Sequence, residues 1–365
     1  MMATESRRAD ACDHAGAAAP SAPPRRAARS IRAWPVPLRL ALLAAIALLA
    51  FVAAVRLGAV SLSLRTMLDA LAGKGDPAAV TIVRELRLPR ALQAGLAGAA
   101  LAVSGATFQA LLRNPLAEPY ILGVSSGAAA GAVLTVVTGW SLRFVWSLPA
   151  AAFAGAVLSM LLVFRIAFSV GRALDTRVLL LAGVVVSAFL VAVIWLVLTF
   201  ADTESVRSAI FWMMGSHANA SWQSVGILGA ALIPALAVLF ALARPLNLLA
   251  IGEPTAAYLG THVERAKLAA FGTATLLTAA SVSVSGTIGF VGLMVPHAVR
   301  LVWGNDHRGL LPCSALAGAA FLIAADLLAR SVAGANELPV GIVTALIGVP
   351  CFVFLLRRPG NGVLE

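Results

Sequence analysis

The stretch Gly123-Val124-Ser125-Ser126-Gly127 matches the Gly-x-Ser-x-Gly pattern of a serine nucleophile, so hydrolysis is the first chemistry to weigh. That pattern works where a strand passes through a strained turn into a helix, with a histidine and an acid in reach. Here it opens a long apolar run, which leaves an intramembrane serine hydrolase as the lesser reading. Gly123, Gly127 and Gly131 recur at intervals of four and line one helix face, the spacing that lets helix backbones approach closely in lipid. Other reactive side chains are sparse. His297 and His307 stand ten residues apart with no partner at metal spacing, so a structural or gating role is expected ahead of metal ligation. Cys12, Cys313 and Cys351 are scattered and odd in number, which gives no disulfide framework. Lys74 stands in Gly73-Lys74-Gly75, and the absence of any glycine-rich loop ending in Gly-Lys-Ser or Gly-Lys-Thr excludes ATP binding by a P-loop. Asp326, Glu118 and Glu337 fall near the ends of apolar runs and make no clear proton relay.

The elements that would carry these residues are set by the solvent. Hydrophobic residues make up 60% of the chain and charged residues 12%, and the mean hydropathy is +0.93, a balance that excludes a water-soluble domain of this length. Apolar segments of the length needed to cross a bilayer recur from Leu38 onward. They predict about ten spans, near 38–57, 90–111, 120–140, 146–169, 178–200, 223–243, 267–284, 287–303, 310–332 and 338–356. The segments around 90–140 and 267–303 are glycine-rich enough to be re-entrant or unusually short. Within the first of these, Arg113-Asn114-Pro115-Leu116-Ala117-Glu118-Pro119 places two prolines four positions apart, which forces a helix break that marks a gate or a loop.

The fold class expected is therefore an all-α polytopic membrane protein. Residues 1–33 read as a disordered basic tail, 34–358 as the membrane domain and 359–365 as a second tail. Arg7, Arg8, Arg25, Arg26, Arg29, Arg32 and Arg39 precede the first span, so both termini are expected in the cytoplasm. The basic tail is also expected to be drawn to the lipid surface. Arg84, Arg87 and Arg90 then fall outside, and a positive cluster on that side suggests a partner surface or snorkelling to lipid phosphates. Val103-Ser104-Gly105 precedes Pro115 by the interval that separates Val284-Ser285-Gly286 from Pro296, a hint of an inverted repeat. In the loop 245–266, Pro245 is expected to stop one helix, Pro254 to start a short one and Leu259-Gly260 to close it. The product would be a short cytoplasmic helix suited to a partner's groove.

These residues together resemble one family, the FecCD-type permease subunits of binding-protein-dependent ABC importers for cobalamin, ferric siderophores and haem. The likeness covers about residues 40–358. It is carried by Arg87-Leu88-Pro89-Arg90, the run Gly98 to Gly105, Asn114-Pro115-Leu116-Ala117-Glu118-Pro119, and Gly123-Val124-Ser125-Ser126-Gly127-Ala128. Further carriers are Trp212-Met213-Met214-Gly215, Leu259-Gly260, the run Gly289 to His297 and Glu337-Leu338-Pro339-Val340-Gly341. The resemblance implies an inverted-repeat permease of the type II importer fold in the inner membrane, working as a homodimer with two cytoplasmic ATPase subunits. An extracytoplasmic binding protein would deliver a metal chelate. It implies binding-protein docking at Arg87, Arg90 and Arg330, a cytoplasmic gate at Asn114, Leu116, Thr176 and Arg177, and ATPase coupling through Gly252, Glu253, Ala257, Leu259 and Gly260. Arg177 departs from the small polar residue expected at the narrow point. No cofactor is expected in this chain, ATP and Mg being held by the ATPase, and no nucleic-acid partner. On family breadth a ferric siderophore comes first as cargo, then cobalamin, then haem.

Overall fold

The computed structural model describes residues 34–58, 62–170, 174–332 and 337–356. The two expected tails, with Cys12, lie outside the described residues. All regular structure among the described residues is helical. Seven helices are long and apolar enough to cross a membrane and three shorter ones are equally apolar, and these match the expected spans.

The chain begins with α1 (Val36–Arg56), followed by the short α2 (Leu64–Leu71) and α3 (Pro77–Thr81). A π-helical turn, Ile82–Arg87, joins α3 to α4 (Leu88–Leu111). A 3-10 turn at Pro119–Leu122 leads into α5 (Val124–Val137), then come α6 (Ser147–Val170) and α7 (Thr176–Thr199). An amphipathic α8 (Thr203–Met213) connects to α9 (Trp222–Ala241). Two short helices, α10 (Ala243–Ile251) and α11 (Glu253–Tyr258), precede α12 (Val263–Ser285), α13 (Val291–Trp303), α14 (His307–Val332) and α15 (Val340–Leu356).

Two halves repeat. Each starts with a long helix followed by a short one, α4 then α5 and α12 then α13. The contacts exchange between halves in the same sense: α4 packs on α14 while α12 packs on α6, and α5 lies on α6 and α7 as α13 lies on α14 and α15. The two triplets read as markers of the repeat differ locally. Gly105 lies inside α4 whereas Gly286 ends α12 at φ +68°, and Pro115 lies in a loop whereas Pro296 lies inside α13. The repeat resides in helix order and packing rather than in those residues.

The centre is α4, almost wholly buried in its apolar window at 89%. Little hydrophobic drive joins helices in lipid, so contact has to come from close backbone approach. Alanine and glycine supply it. A Cβ built on Gly98 would stand 2.2 Å from the Gly318 carbonyl oxygen of α14, and one on Gly105 would stand 1.8 Å from that of Gly292 in α13. The four-residue glycine spacing of α5 serves the same end, with Gly127 against Gly155 and Gly131 against Ala151 of α6.

Two helices fall short of a crossing. At 14 and 13 residues, α5 and α13 extend about 21 and 20 Å, against ~30 Å of hydrocarbon. Gly123, which starts α5, packs beside Ser159, Gly183 and Ser187 near the middles of α6 and α7. The broken backbone ahead of α5 meets the broken backbone ahead of α13. Glu118 Oε1 accepts from the Phe290 amide at 2.9 Å, and Tyr120 Oη both donates to the Ile288 carbonyl and accepts from its amide at 3.0 Å.

Pro245 does not stop a helix. The chain breaks at Leu242, and Pro245 sits in the first turn of α10, where it has no intrahelical N–H bond to lose.

A Gly105→Ala variant is expected to lower thermal stability in detergent by about 1–3 kcal/mol through overpacking. Gly226→Ala on α9, where a built Cβ meets nothing within 4 Å, is expected to leave stability unchanged or raise it by up to ~1 kcal/mol.

Candidate functional site

At one end of the bundle the structure gathers Arg87, Arg90 and Arg330. The C-terminus of α1 leaves carbonyls without helical partners, and arginine is suited to them in charge and geometry. Arg87 Nη1 donates to the Val55 and Arg56 carbonyls at 3.0 and 2.9 Å, and Arg330 Nη2 donates to the Ala54 carbonyl. Arg90 reaches inward to Asp326, with Nε at 2.9 Å from Oδ2 and Nη2 at 3.0 Å from Oδ1. Its Nη1 lies 2.8 Å from Glu337 Oε2. Arg330 Nε stands 3.8 Å from Asp326 Oδ2, so a single buried carboxylate serves two guanidinium groups. Only Glu337 of this cluster is substantially exposed, at 42% of its side chain.

Beside the cluster opens a cavity of about 1330 Å³ whose rim includes Glu337. The end of α5 and the loop after it supply Val137 and Trp146, and α8 supplies Ser205, Phe211 and Trp212. Ser224 and Ser285 reach the cavity from beneath, where a polar knot lies that the sequence reading missed. Gln93 of α4 donates to the Val284 carbonyl at 3.1 Å and accepts from Ser224 Oγ, and its amide nitrogen lies 3.3 Å from His217 Nδ1. His217 is fully buried. A glutamine inside an alanine-rich helix gives no hint in sequence that three other segments converge on it.

The opposite end carries α10, α11 and the starts of α7, α12 and α14. Gly252, at φ +153°, joins α10 to α11 in a conformation open to glycine. Pro254 sits in the first turn of α11, and Gly260, at φ +80°, follows its end as expected. Ala256 is buried, while Ala257, Tyr258, Leu259 and Gly260 face outward, with Tyr258 92% exposed. Glu253 turns back instead, pairing with Lys267 of α12 at 3.1 Å. His307, at the start of α14, is held by Asn247 of α10: its amide and Nδ1 lie 2.9 and 2.6 Å from Asn247 Oδ1. Burial would raise the neighbouring Asp306 carboxyl, but the bonds from Asn247 Nδ2 and the Arg308 amide, with the nearby Arg308 charge, outweigh it and hold the carboxyl below its ordinary range.

The four expected gate residues lie on two pieces. Asn114 is exposed and caps its own turn by accepting from the Leu116 amide at 2.9 Å. Thr176 and the exposed Arg177 begin α7 behind the cap Asp175. No hydrogen bond joins the two pieces among the described residues. They are linked by packing, since a Cβ on Gly183 of α7 would stand 2.5 Å from the Ile121 carbonyl oxygen.

Residues 46–358 match the FecCD transport family. The chain belongs to this family. It is 48% identical over 279 residues, 76% of this chain and 74% of the relative, to the cobalamin import system permease protein BtuC of Halobacterium salinarum. It is 42% identical over 289 residues, 78% of this chain and 86% of the relative, to the vitamin B12 import system permease protein BtuC of Escherichia coli O157:H7. A solved structure described as an inward-facing metal-chelate type ABC transporter superposes with a TM-score of 0.79 at 34% identity, covering 88% of this chain and 99% of that one. The FecCD chain is thus a multi-pass membrane permease of an ABC importer and not an enzyme in itself.

The hydrolase reading is overturned. Ser125 is the second residue of α5, behind a 3-10 turn, and no strand precedes it among the described residues. The flanking glycines exist for helix contact, as Gly127 shows against Gly155. Among the described residues no group of three metal-ligating side chains forms around His297, His307 or elsewhere.

Asp326→Asn is expected to destabilise this FecCD permease by about 3–5 kcal/mol, because it leaves two buried guanidinium groups without their shared anion. Glu337→Gln at the exposed edge is expected to cost at most ~1 kcal/mol. Thermal unfolding of both variants in detergent checks the contrast.

Proposed function

We propose that this permease passes a corrinoid of the cobalamin class across the membrane. The observation that carries this reading is the cavity of about 1330 Å³, larger than the ~300–1,000 Å³ of ordinary small-molecule sites. Its lining alternates aromatic and aliphatic surface with serine hydroxyls, which suits a bulky cargo of mixed polarity. The names of the two BtuC relatives support the same cargo class. A ferric siderophore is the second reading, favoured by the likeness to the metal-chelate type transporter.

In this reading the arginine end faces outward and α11 faces the cytoplasm, as the distribution of Lys and Arg in the connecting loops implies. Two copies form the pathway between them. A binding protein docks at the outer end, with an acidic side chain replacing Glu337, the exposed one of the two carboxylates on Arg90. Arg87 and Arg330 then hold α1 beneath the docked lobe. Two ATPase subunits seat on the outward face of α11, where Ala257, Tyr258 and Leu259 offer apolar surface and Gly252 and Gly260 set its ends. Asn114, Leu116, Thr176 and Arg177 form the cytoplasmic gate. Because no chemistry is performed on the cargo, specificity rests on the binding protein and the chain needs only a wide, weakly interacting path.

A strain lacking this gene is expected to lose uptake of radiolabelled cyanocobalamin and regain it when the gene is restored, with ferric siderophore and haem uptake unchanged. Loss and rescue of ferric siderophore uptake alone would select the second reading. Leu259→Arg is expected to abolish co-purification with the ATPase subunit while the permease still folds; full co-purification with unimpaired uptake would remove α11 as the seat.

A further inference from the structure

Lys267 is the most deeply buried lysine of the bundle, with its side chain 2% exposed, and the family reading gives it no role. An ammonium group is costly away from water unless it is paired and hydrogen-bonded. Lys267 meets both conditions across three elements. Its Nζ lies 3.1 Å from each carboxylate oxygen of Glu253, the first residue of α11, and it donates to the backbone carbonyl of Leu174. Leu174 belongs to the turn that enters α7. Its amide donates to Glu264 Oε2 at 3.2 Å, and Glu264 Oε1 lies 3.9 Å from the same Nζ. The turn is therefore held from both sides: the Leu174 carbonyl by Lys267 and its amide by Glu264, which lie on the first two turns of α12. The Leu174 side chain is itself 1% exposed, so the turn has a fixed seat. One residue on, Asp175 Oδ1 accepts from the Arg177 amide at 2.7 Å and starts α7.

We infer that Lys267 is a positioning residue that carries displacement of α11 to the gate turn at 174–177. This rests on the reading of α11 as the ATPase seat and of Thr176 and Arg177 as part of the gate. A push on α11 acts on Glu253, which is tied to Lys267 through an ion pair whose ammonium is buried and whose carboxylate is 32% exposed, and Lys267 is tied in turn to the Leu174 carbonyl. Glu264 keeps the peptide from rotating away. The start of α7 follows the coupling helix instead of sliding past it.

The test uses the full chain, its cysteines replaced by serine, assembled with its cognate ATPase subunit in nanodiscs. Nitroxide labels at Arg113→Cys and Leu181→Cys, both exposed positions, the second one turn beyond Arg177 on α7, report the separation of the two gate pieces with and without ATP and vanadate. In the otherwise unaltered protein the separation is expected to shift on trapping. Lys267→Met, of similar length and without charge, is expected to hydrolyse ATP at close to the usual rate while losing more than half of that shift. Lys267→Arg, which can still span both partners, is expected to restore it. A shift in Lys267→Met equal to that of the unaltered protein overturns the inference, because a merely structural lysine would leave the nucleotide response intact once the complex assembles. If Lys267→Met does not assemble, Glu253→Gln removes the ion pair and leaves Lys267 on Leu174. A reduced shift there supports the inference and a full one overturns it. Absence of any shift in the unaltered complex overturns the assignment of these two pieces as the gate, and the inference with it, while the seat at α11 is tested separately by Leu259→Arg, which separates the two failures.

Discussion

A bilayer offers no hydrogen-bond partners to interrupted backbone, so a helix that starts within the hydrocarbon has to find them in protein. This chain breaks two helices, and each break completes the other. The Glu118 carboxylate takes the Phe290 amide at the head of α13, and the Tyr120 hydroxyl takes both backbone groups of Ile288. An acidic group at a helix N-terminus also complements the dipole there. The joint fixes α5 and α13 relative to one another, and with them the two halves of the fold. Around it, α4 can be as small-sided as it is because its neighbours are already brought within backbone distance.

The ion pairs among the described residues form two clusters, one at each end of the bundle. At the arginine end one buried carboxylate, Asp326, organises Arg90 and Arg330, while Arg87 and Arg330 complete the last turn of α1. At the other end one buried ammonium, Lys267, organises two glutamates and a peptide. Burial raises the energetic stake of each cluster, since removal of a single partner strands the others. The middle of the bundle, by contrast, is held by glycine and alanine contacts, which are numerous and individually weak. Such a division leaves the ends sensitive to partners and the core stiff, which suits a permease that performs no chemistry and has only to open and close a path.

The arginines show how location and role separate. The positive cluster Arg84, Arg87 and Arg90 on the expected outer side reads from sequence as a partner surface or as snorkelling, and the structure gathers Arg87 and Arg90 with Arg330 while Arg84 bonds to the Leu71 carbonyl. It also gives each of these guanidinium groups an internal partner and leaves Glu337 as the exposed edge of the cluster. The charge pattern reported which end of the helices the residues occupy. It carried no information about the α1 carbonyls, which become available only once α1 and α4 lie side by side.

Composition and hydropathy by themselves determined that the chain is a helical membrane protein, and the segment lengths located its apolar helices, because each span has to satisfy its own backbone and be apolar over a fixed thickness. The proline pairs and glycine runs also marked where helices break, since those residues act locally: Gly260 closes α11 and Gly123 opens α5 as their types dictate. Pro245 was misread because a proline can begin a helix as well as end one, and only the break at Leu242 decides between the two. Tertiary structure alone decided the remaining points. The meeting of Glu118 with Phe290, Gln93 with His217 and Lys267 with Leu174 joins residues from 93 to 172 positions apart, and no local rule links such positions. Their pairing follows from which helices lie adjacent, and that adjacency is set by glycine contacts whose partners the sequence does not name.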